Sequence, residues 1–309
     1  MPDSAHGGKN WKPRLKNFKN EFGEIWGNIG VKSEYGRLRK VLLHRPGKGI
    51  EGVKNASKVL WTEILNPQIA REQHDALAKT YRNLGVEVAY LDAFGKDTPN
   101  LYFMRDLFVM TPQGVILSRP ASHVRSGEEK IVAKNLIYMN VPILLTIHGD
   151  AVFEGPDIVF INEALAFVGY GIRSNMAGVN QVSAILNGMG VETITIQTTY
   201  GCGHLDGVMN IIDKSKVILF PTRVSYLVYE TLRKLGMKII DLPDMYEAEH
   251  GMAINMVPVA PSVVVLPSGN KITKKILEKH NVECHEVNVS ELMKGGGAVH
   301  CMTGIIKRE

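Results

Sequence analysis

One motif recurs five times in this chain: a helical stretch ends at Gly or Asn and passes directly into an aliphatic, β-branched segment. The five copies read "YRNLGVEVAYLD", "IYMNVPILLTI", "LNGMGVETITIQ", "RKLGMKIIDLP" and "EKHNVECHEVN". Their punctuating residues are Gly85, Asn140, Gly190, Gly236 and Asn281, a period of about 50 residues. Gly and Asn tolerate the left-handed conformation that ends a helix, and the β-rich residues behind them favour strand. Four of the helices follow two short strands: "LYFMRDLFVM" with "GVILSRP", "FEGPDIVFI" with "LAFVGYG", "GHLDGVMNII" with "KVILFPT", and "GMAINMV" with "SVVVLPSG". The remaining helix, over residues 69–84, follows only "RKVLLHRP", and a candidate for its missing first strand lies at the far end of the chain, "AVHCMTGII".

An open repeat leaves an unpaired strand edge at each end. Pairing the last strand with the first removes both edges and completes a fifth unit. The sequence therefore predicts an α/β fold of five ββαβ modules around a pseudo-fivefold axis, spanning residues 35–309 behind an N-terminal extension, 1–34. A doubly wound parallel sheet accommodates alternating hairpins and helices poorly, and no GxGxxG or GxxxxGK[ST] loop supports a nucleotide fold.

Composition narrows the classes further. Of 309 residues, 45% are hydrophobic and 22% charged, the balance of a globular protein with a sizeable core. Apolar runs are short, so no membrane partner is expected. The basic start lacks an apolar stretch behind it, unlike a secretory signal, and a cytoplasmic location is expected. The net charge of +5 owes much to Lys9, Lys12, Arg14, Lys16 and Lys19. No helix-turn-helix, zinc-finger or RNA-recognition signature accompanies them, so nucleic acid is not an expected partner. A symmetric homodimer is the expectation from base rates.

Aligning the first strands of the modules brings chemistry into register. They carry Asp106 in "FMRD", Glu154 and Asp157 in "FEGPD", His204 and Asp206 in "GHLD", and Cys301 in "VHCMT". The "GMAINMV" strand offers Met252, Ala253 and Asn255, with no evident chemistry. Polar residues inside apolar strands are costly unless satisfied, and matched positions in a ring converge on one central cavity. Residues i and i+2 share a strand face, which would point His204 and Asp206 there together. Arg105 is expected on the opposite face and outside the chemistry. Cys202 and Cys284 read as structural, Cys202 lining the site at most.

A thiol, an imidazole and several carboxylates suit nucleophilic catalysis on a cation. Cys301 is the candidate nucleophile and His204 the candidate general acid and base. Carboxylates alone disfavour a thiolate, but a planar guanidinium matches them bidentately and its charge would favour the thiolate. A metal site from His204, Asp206, Cys301, Glu154 and His250 is the alternative; no HExxH or paired-His motif supports it, and no metal or cofactor is expected.

In order along the chain, "YGRLRKVLLHRP", "PNLYFMRD", "FEGPD", "GYGIRSN", "GHLD" and "GGGAVHCMT" resemble the guanidino-group-modifying enzymes of the pentein fold, an α/β propeller. The patterns are similar to arginine deiminase, dimethylarginine dimethylaminohydrolase and amidinotransferase, from about Tyr35 to the C-terminus. That resemblance implies a covalent thiouronium on Cys301, with His204 protonating the leaving amine and then activating water. It implies guanidinium binding by Asp106 and Asp206, and orientation of substrate and His204 by Glu154. It further implies a carboxylate ligand in Arg173, a second in Arg125, pocket-shaping roles for Asn100 and Phe103, and support from Asp157. The implied activity is hydrolysis of arginine or an N-substituted arginine to a citrulline-type product, without cofactor. Transfer of the amidino group to an acceptor amine is the alternative, and a non-catalytic ring like translation initiation factor six is a third. "EGPD" departs from the usual "EGGD", and Gly295 to Ala298 lack the arginine that arginine deiminases often carry before the cysteine.

Overall fold

A computed structural model describes residues 3–242 and 244–309. After α1 (Phe18–Trp26), the chain enters the ring at β1 (Leu38–Leu43), passes through α2 (Pro67–Asn83) and pairs β2 (Glu87–Tyr90) parallel to β1. The next module is β3 (Phe108–Thr111), β4 (Gly114–Leu117), α3 (Glu128–Tyr138) and β5 (Ile143–Thr146). Then come β6 (Ile158–Asn162), β7 (Leu165–Tyr170), α4 (Met176–Gly188) and β8 (Glu192–Gln197). The third continuous module holds β9 (Met209–Asp213), β10 (Lys216–Leu219), α5 (Tyr226–Lys234) and β11 (Lys238–Asp241). A short α6 (Met245–Glu249) leads to β12 (Val257–Ala260), β13 (Val263–Pro267), α7 (Lys271–Lys279) and β14 (Glu283–Val287). After α8 (Ser290–Met293), β15 (Gly304–Arg308) returns to lie antiparallel to β1, with Leu38 opposite Arg308 and Val41 opposite Ile305.

Five three-stranded sheets result, each with a middle strand antiparallel to its first and parallel to its third. Ring closure is thus made by the two segments, "RKVLLHRP" and "AVHCMTGII", that the repeat left unpaired. All five punctuating residues adopt positive φ, between 56° and 83°. Helix α2 shows how local sequence fixes an element: the Asn66 side chain caps Gln68 and Ile69, Pro67 opens the first turn, and Ala70, His74, Leu77, Ala78 and Tyr81 form the buried face.

The catalytic candidates, however, do not lie in the strands. Asp106 sits in a 3-10 turn, Met104–Leu107, ahead of β3; Glu154 and His204 each stand immediately before such a turn, ahead of β6 and β9. Asn255 and Cys301 occupy turns before β12 and β15. The expectation that His204 and Asp206 share a strand face is therefore corrected. Near the axis the turns pack on one another: Arg105 N–H donates to the Cys301 carbonyl at 3.0 Å, and Leu205 N–H to Asp157 Oδ1 at 2.9 Å. A Cβ on Gly155 would lie 2.4 Å from the Arg105 carbonyl oxygen. Pro156 fits because its missing N–H falls in the opening of a 3-10 turn. The segment just ahead of the ring is packed too: Gly30 bridges Lys307, Val31 is buried, and the buried Glu34 accepts from Phe160 N–H at 3.2 Å.

Candidate active site

A cavity of about 110 Å³ opens on the turn side of the ring. Cys301, His204, Asp106 and Arg173 line it, with Asn100, Phe103 and Arg125. The run Gly295 to Gly297 forms part of its wall for a steric reason. A Cβ on Gly295 would fall 1.8 Å from the Tyr102 hydroxyl, and one on Gly297 would fall 2.6 Å from the Phe103 ring and 2.9 Å from Cys301 Cβ. Only glycine lets the backbone pass this close to the cysteine.

His204 Nε2 meets Glu154 Oε2 at 2.7 Å, and Arg173 Nη1 approaches the same oxygen at 3.4 Å. Glu154 itself is fully buried behind His204, its other oxygen accepting from Ala121 N–H at 3.0 Å. Burial opposes ionisation of Glu154, but the His204 hydrogen bond and the charges of His204, Arg173 and Arg125 outweigh it and hold the carboxyl down. Burial likewise lowers His204, and the bond and charge of Glu154, helped by Asp106 and Asp157, reverse this and lift the imidazole to about 9. Asp157 fixes the frame around them: Ser174 Oγ donates to its Oδ2 at 2.5 Å and Leu205 N–H to its Oδ1.

Cys301 meets the opposite conditions. Burial, followed by the negative charges of Asp106 and Asp206, pushes its thiol up to about 12. Asp106 leaves Oδ1 buried and without a partner, while Oδ2 accepts from Arg125 Nη1. An orphaned carboxylate oxygen in a cavity suits an incoming N–H donor.

Two expected binders have other partners. Arg125 is 2% exposed, and four of its five N–H groups are used, on Glu128, Asp106 and the carbonyls of Asn100 and Phe103. It anchors Asp106 rather than presenting a free fork to a carboxylate, which corrects its role. Asp206 is buried and does not line the cavity; Arg105 Nε stands 3.4 Å from its Oδ2, and His300 Nδ1 3.2 Å. Desolvation raises its carboxyl to about 7 despite the Arg105 and His204 charges. Arg105 lies off the cavity, as expected, yet buttresses Asp206. Asn100 spends its amide on Trp61 Nε1–H and the Val59 carbonyl, 2.7 and 2.8 Å away, and so ties down the segment that brings Leu60 to the cavity. No sequence signal marks Leu60 or Trp61.

Of the alternative metal set, His250 stacks on Tyr246 with ring centroids 4.6 Å apart and does not line the cavity. Asp106, Glu154 and His204 do bring donor atoms within 4.8 Å of one another. Asn255 is the residue the sequence reading passed over: its amide nitrogen lies 2.9 Å from Cys301 Sγ. The signal was present as a polar residue at the matched position of an otherwise apolar module.

The sequence model described as N,N dimethylarginine dimethylhydrolase, eukaryotic, matches residues 56–308. The chain belongs to that family. Its pentein architecture is shared with a dimethylarginine dimethylaminohydrolase from Pseudomonas aeruginosa, solved as a mutant complexed with citrulline (TM-score 0.73, 20% identity, 87% of this chain and 99% of that one). An amidinotransferase of the saxitoxin biosynthetic pathway from Microseira wollei aligns at TM-score 0.74 and 14% identity, over 91% of this chain and 97% of its own. In sequence, arginine deiminase of Clostridium perfringens is 24% identical, covering 91% of this chain and 98% of that protein. The uncharacterised protein YkgA of Bacillus subtilis is 25% identical over 274 residues, 88% of this chain and 93% of its own. The family match and the arginine deiminase relative place the chain among the guanidino-group-modifying enzymes. Among the described residues no helix is long and apolar enough to cross a membrane.

Proposed function

We propose that this protein hydrolyses the guanidinium of arginine or an N-substituted arginine through a covalent adduct on Cys301. The observation that carries the reading is one cavity lined by Cys301, His204, the half-free Asp106 and Arg173. The substrate guanidinium donates to Asp106 Oδ1, and Arg173, a quarter exposed at the rim, takes the substrate carboxylate. Its positive charge offsets the acids facing Cys301, so the thiol proton leaves to solvent on binding. The thiolate attacks the guanidinium carbon, forming a C–S bond and a tetrahedral adduct.

Glu154 occupies His204 Nε2, which leaves Nδ1 for the substrate. Cationic His204 protonates the departing nitrogen, the C–N bond breaks, and ammonia or an alkylamine leaves a thiouronium. Neutral His204 then takes a proton from water, whose oxygen attacks the same carbon. The C–S bond breaks, a second proton passes to solvent, and thiolate and a citrulline-type product are released. Residues 35–309 form the catalytic unit in this reading.

The test is turnover on arginine, methylated arginines, agmatine and guanidinoacetate, each with and without ornithine or glycine. Ammonia or methylamine release without acceptor is expected. Strict dependence on an acceptor amine would replace hydrolysis by amidino transfer, and full activity of Cys301→Ser would remove the covalent mechanism.

A further inference from the structure

The module opening with "GMAINMV" contributes no ionisable side chain to the cavity, yet it reaches the sulfur. Asn255 Oδ1 accepts from His300 N–H at 2.7 Å and from Cys301 N–H at 3.2 Å. Those two acceptances fix the orientation of the amide: the oxygen faces two backbone donors, so Nδ2–H₂ must face the sulfur. Nδ2 donates to Cys301 Sγ at 2.9 Å. The Asn255 backbone carbonyl also accepts from His300 N–H, at 3.3 Å. One buried residue, 9% exposed, therefore holds the turn that carries the cysteine and touches the cysteine's reacting atom.

We propose that Asn255 is a catalytic residue: its amide N–H stabilises the Cys301 thiolate while its carbonyl oxygen fixes the turn that aims the sulfur into the cavity. This deepens the hydrolase reading and rests on Cys301 being its nucleophile. The need for such a donor comes from the site's own charges. Asp106 and Asp206 both act against a negative sulfur, and His204 is engaged with Glu154. Arg105 faces Asp206, and Arg125 faces Asp106 and Glu128. Beside a backbone hydrogen bond from Ala298, Asn255 Nδ2 is, among the described residues, the side-chain donor seated on Sγ. A donor of this kind strengthens as the acceptor gains charge, so its contribution grows as the thiol ionises and grows again when the C–S bond breaks.

Asn255→Asp separates the two roles. It retains an oxygen for the two backbone N–H groups, so the turn stays capped, but replaces the donor on sulfur with a second carboxylate oxygen. Asn255→Ala removes both roles. The readout is the rate of Cys301 alkylation by iodoacetamide between pH 7 and 10, followed by peptide mapping, alongside thermal unfolding and arginine turnover. For Asn255→Asp we expect unfolding near that of the parent, alkylation of Cys301 slowed by about tenfold or more at each pH, and turnover reduced at least as much, mainly in kcat. Asn255→Ser, which keeps a small donor, is expected to fall between the parent and Asn255→Asp. A folded Asn255→Asp protein with parental alkylation rates overturns the proposal, since a merely structural residue would leave those rates unmoved. If Asn255→Asp fails to fold, Asn255→Ser carries the same test with the same reversal. Alkylation does not depend on the substrate: slowed alkylation in an enzyme that releases nothing from any guanidine would sustain Asn255 and sink the hydrolase reading.

Discussion

The two halves of the cavity treat their ionisable groups in opposite ways. On one side, buried Glu154 and His204 face each other at 2.7 Å, and each favours the charged form of the other. On the other side, burial and then Asp106 and Asp206 disfavour the Cys301 thiolate, opposed by the Asn255 amide and the Ala298 backbone. The site's own residues thus favour a charged His204 and a neutral Cys301. On the proposed reading, a guanidinium beside Asp106 would relieve the cysteine side and leave His204 to protonate a leaving amine. In the proposed mechanism, activation of Cys301 therefore belongs to the substrate complex and not to the free protein.

Removing the proposed nucleophile is the most severe way to break that contrast. Cys301→Ala should lower turnover of the best guanidine by about 10⁴-fold or more, while the His204–Glu154 pair persists; steady-state kinetics with histidine NMR check both halves. Next, His204→Asn should reduce turnover by about 10²–10⁴-fold and leave Cys301 free to be alkylated. Trapping of a covalent adduct on Cys301, seen by intact mass, would distinguish blocked hydrolysis from blocked attack.

Asp106→Asn should move two measurements in opposite directions. Substrate binding weakens, raising KM, while iodoacetamide reacts faster with Cys301 in the resting protein because one opposing charge has gone. The same variant leaves buried Arg125 short of a counter-charge, so a lower unfolding temperature is expected as well. Slower alkylation would contradict the account of why the thiol is held neutral.

The smallest effect concerns pH and stability. His204 is raised above its ordinary value, to about 9, so its stabilisation is full below about pH 6.5 and is lost as pH rises through 9. Glu154 is depressed, so its contribution is present above about pH 4.5 and is lost as pH falls towards its lowered value. Asp206 runs the other way: raised to about 7, it imposes a cost that grows from about pH 4 and is complete above 7. Denaturant unfolding should therefore show stability declining between pH 6.5 and 9, and Glu154→Gln should flatten that decline. An equally steep decline in the variant would locate the titration elsewhere.

Much of this was legible in the chain itself. The Gly or Asn stops gave five modules because left-handed φ is a local property that few residues adopt cheaply, and the unmatched strand at each end required closure to remove open edges. The matched polar residues pointed to one cavity because a ring places equivalent positions around a common axis. Tertiary structure decided the rest. Strand alternation placed His204 beside Asp206, but crowding at the axis turns these segments into tight 3-10 turns, sending His204 to the cavity and Asp206 to Arg105. Arg125 carries the same charge as Arg173, and only packing shows one spent on Asp106 and the other at the rim. Asn255 had no chemistry to announce until folding brought it across 46 residues of chain to within 2.9 Å of a sulfur. Sequence fixes what a local backbone can do and which residues can share an axis; which donor meets which acceptor is settled by long-range packing, because a side chain's partner is chosen only when the modules close.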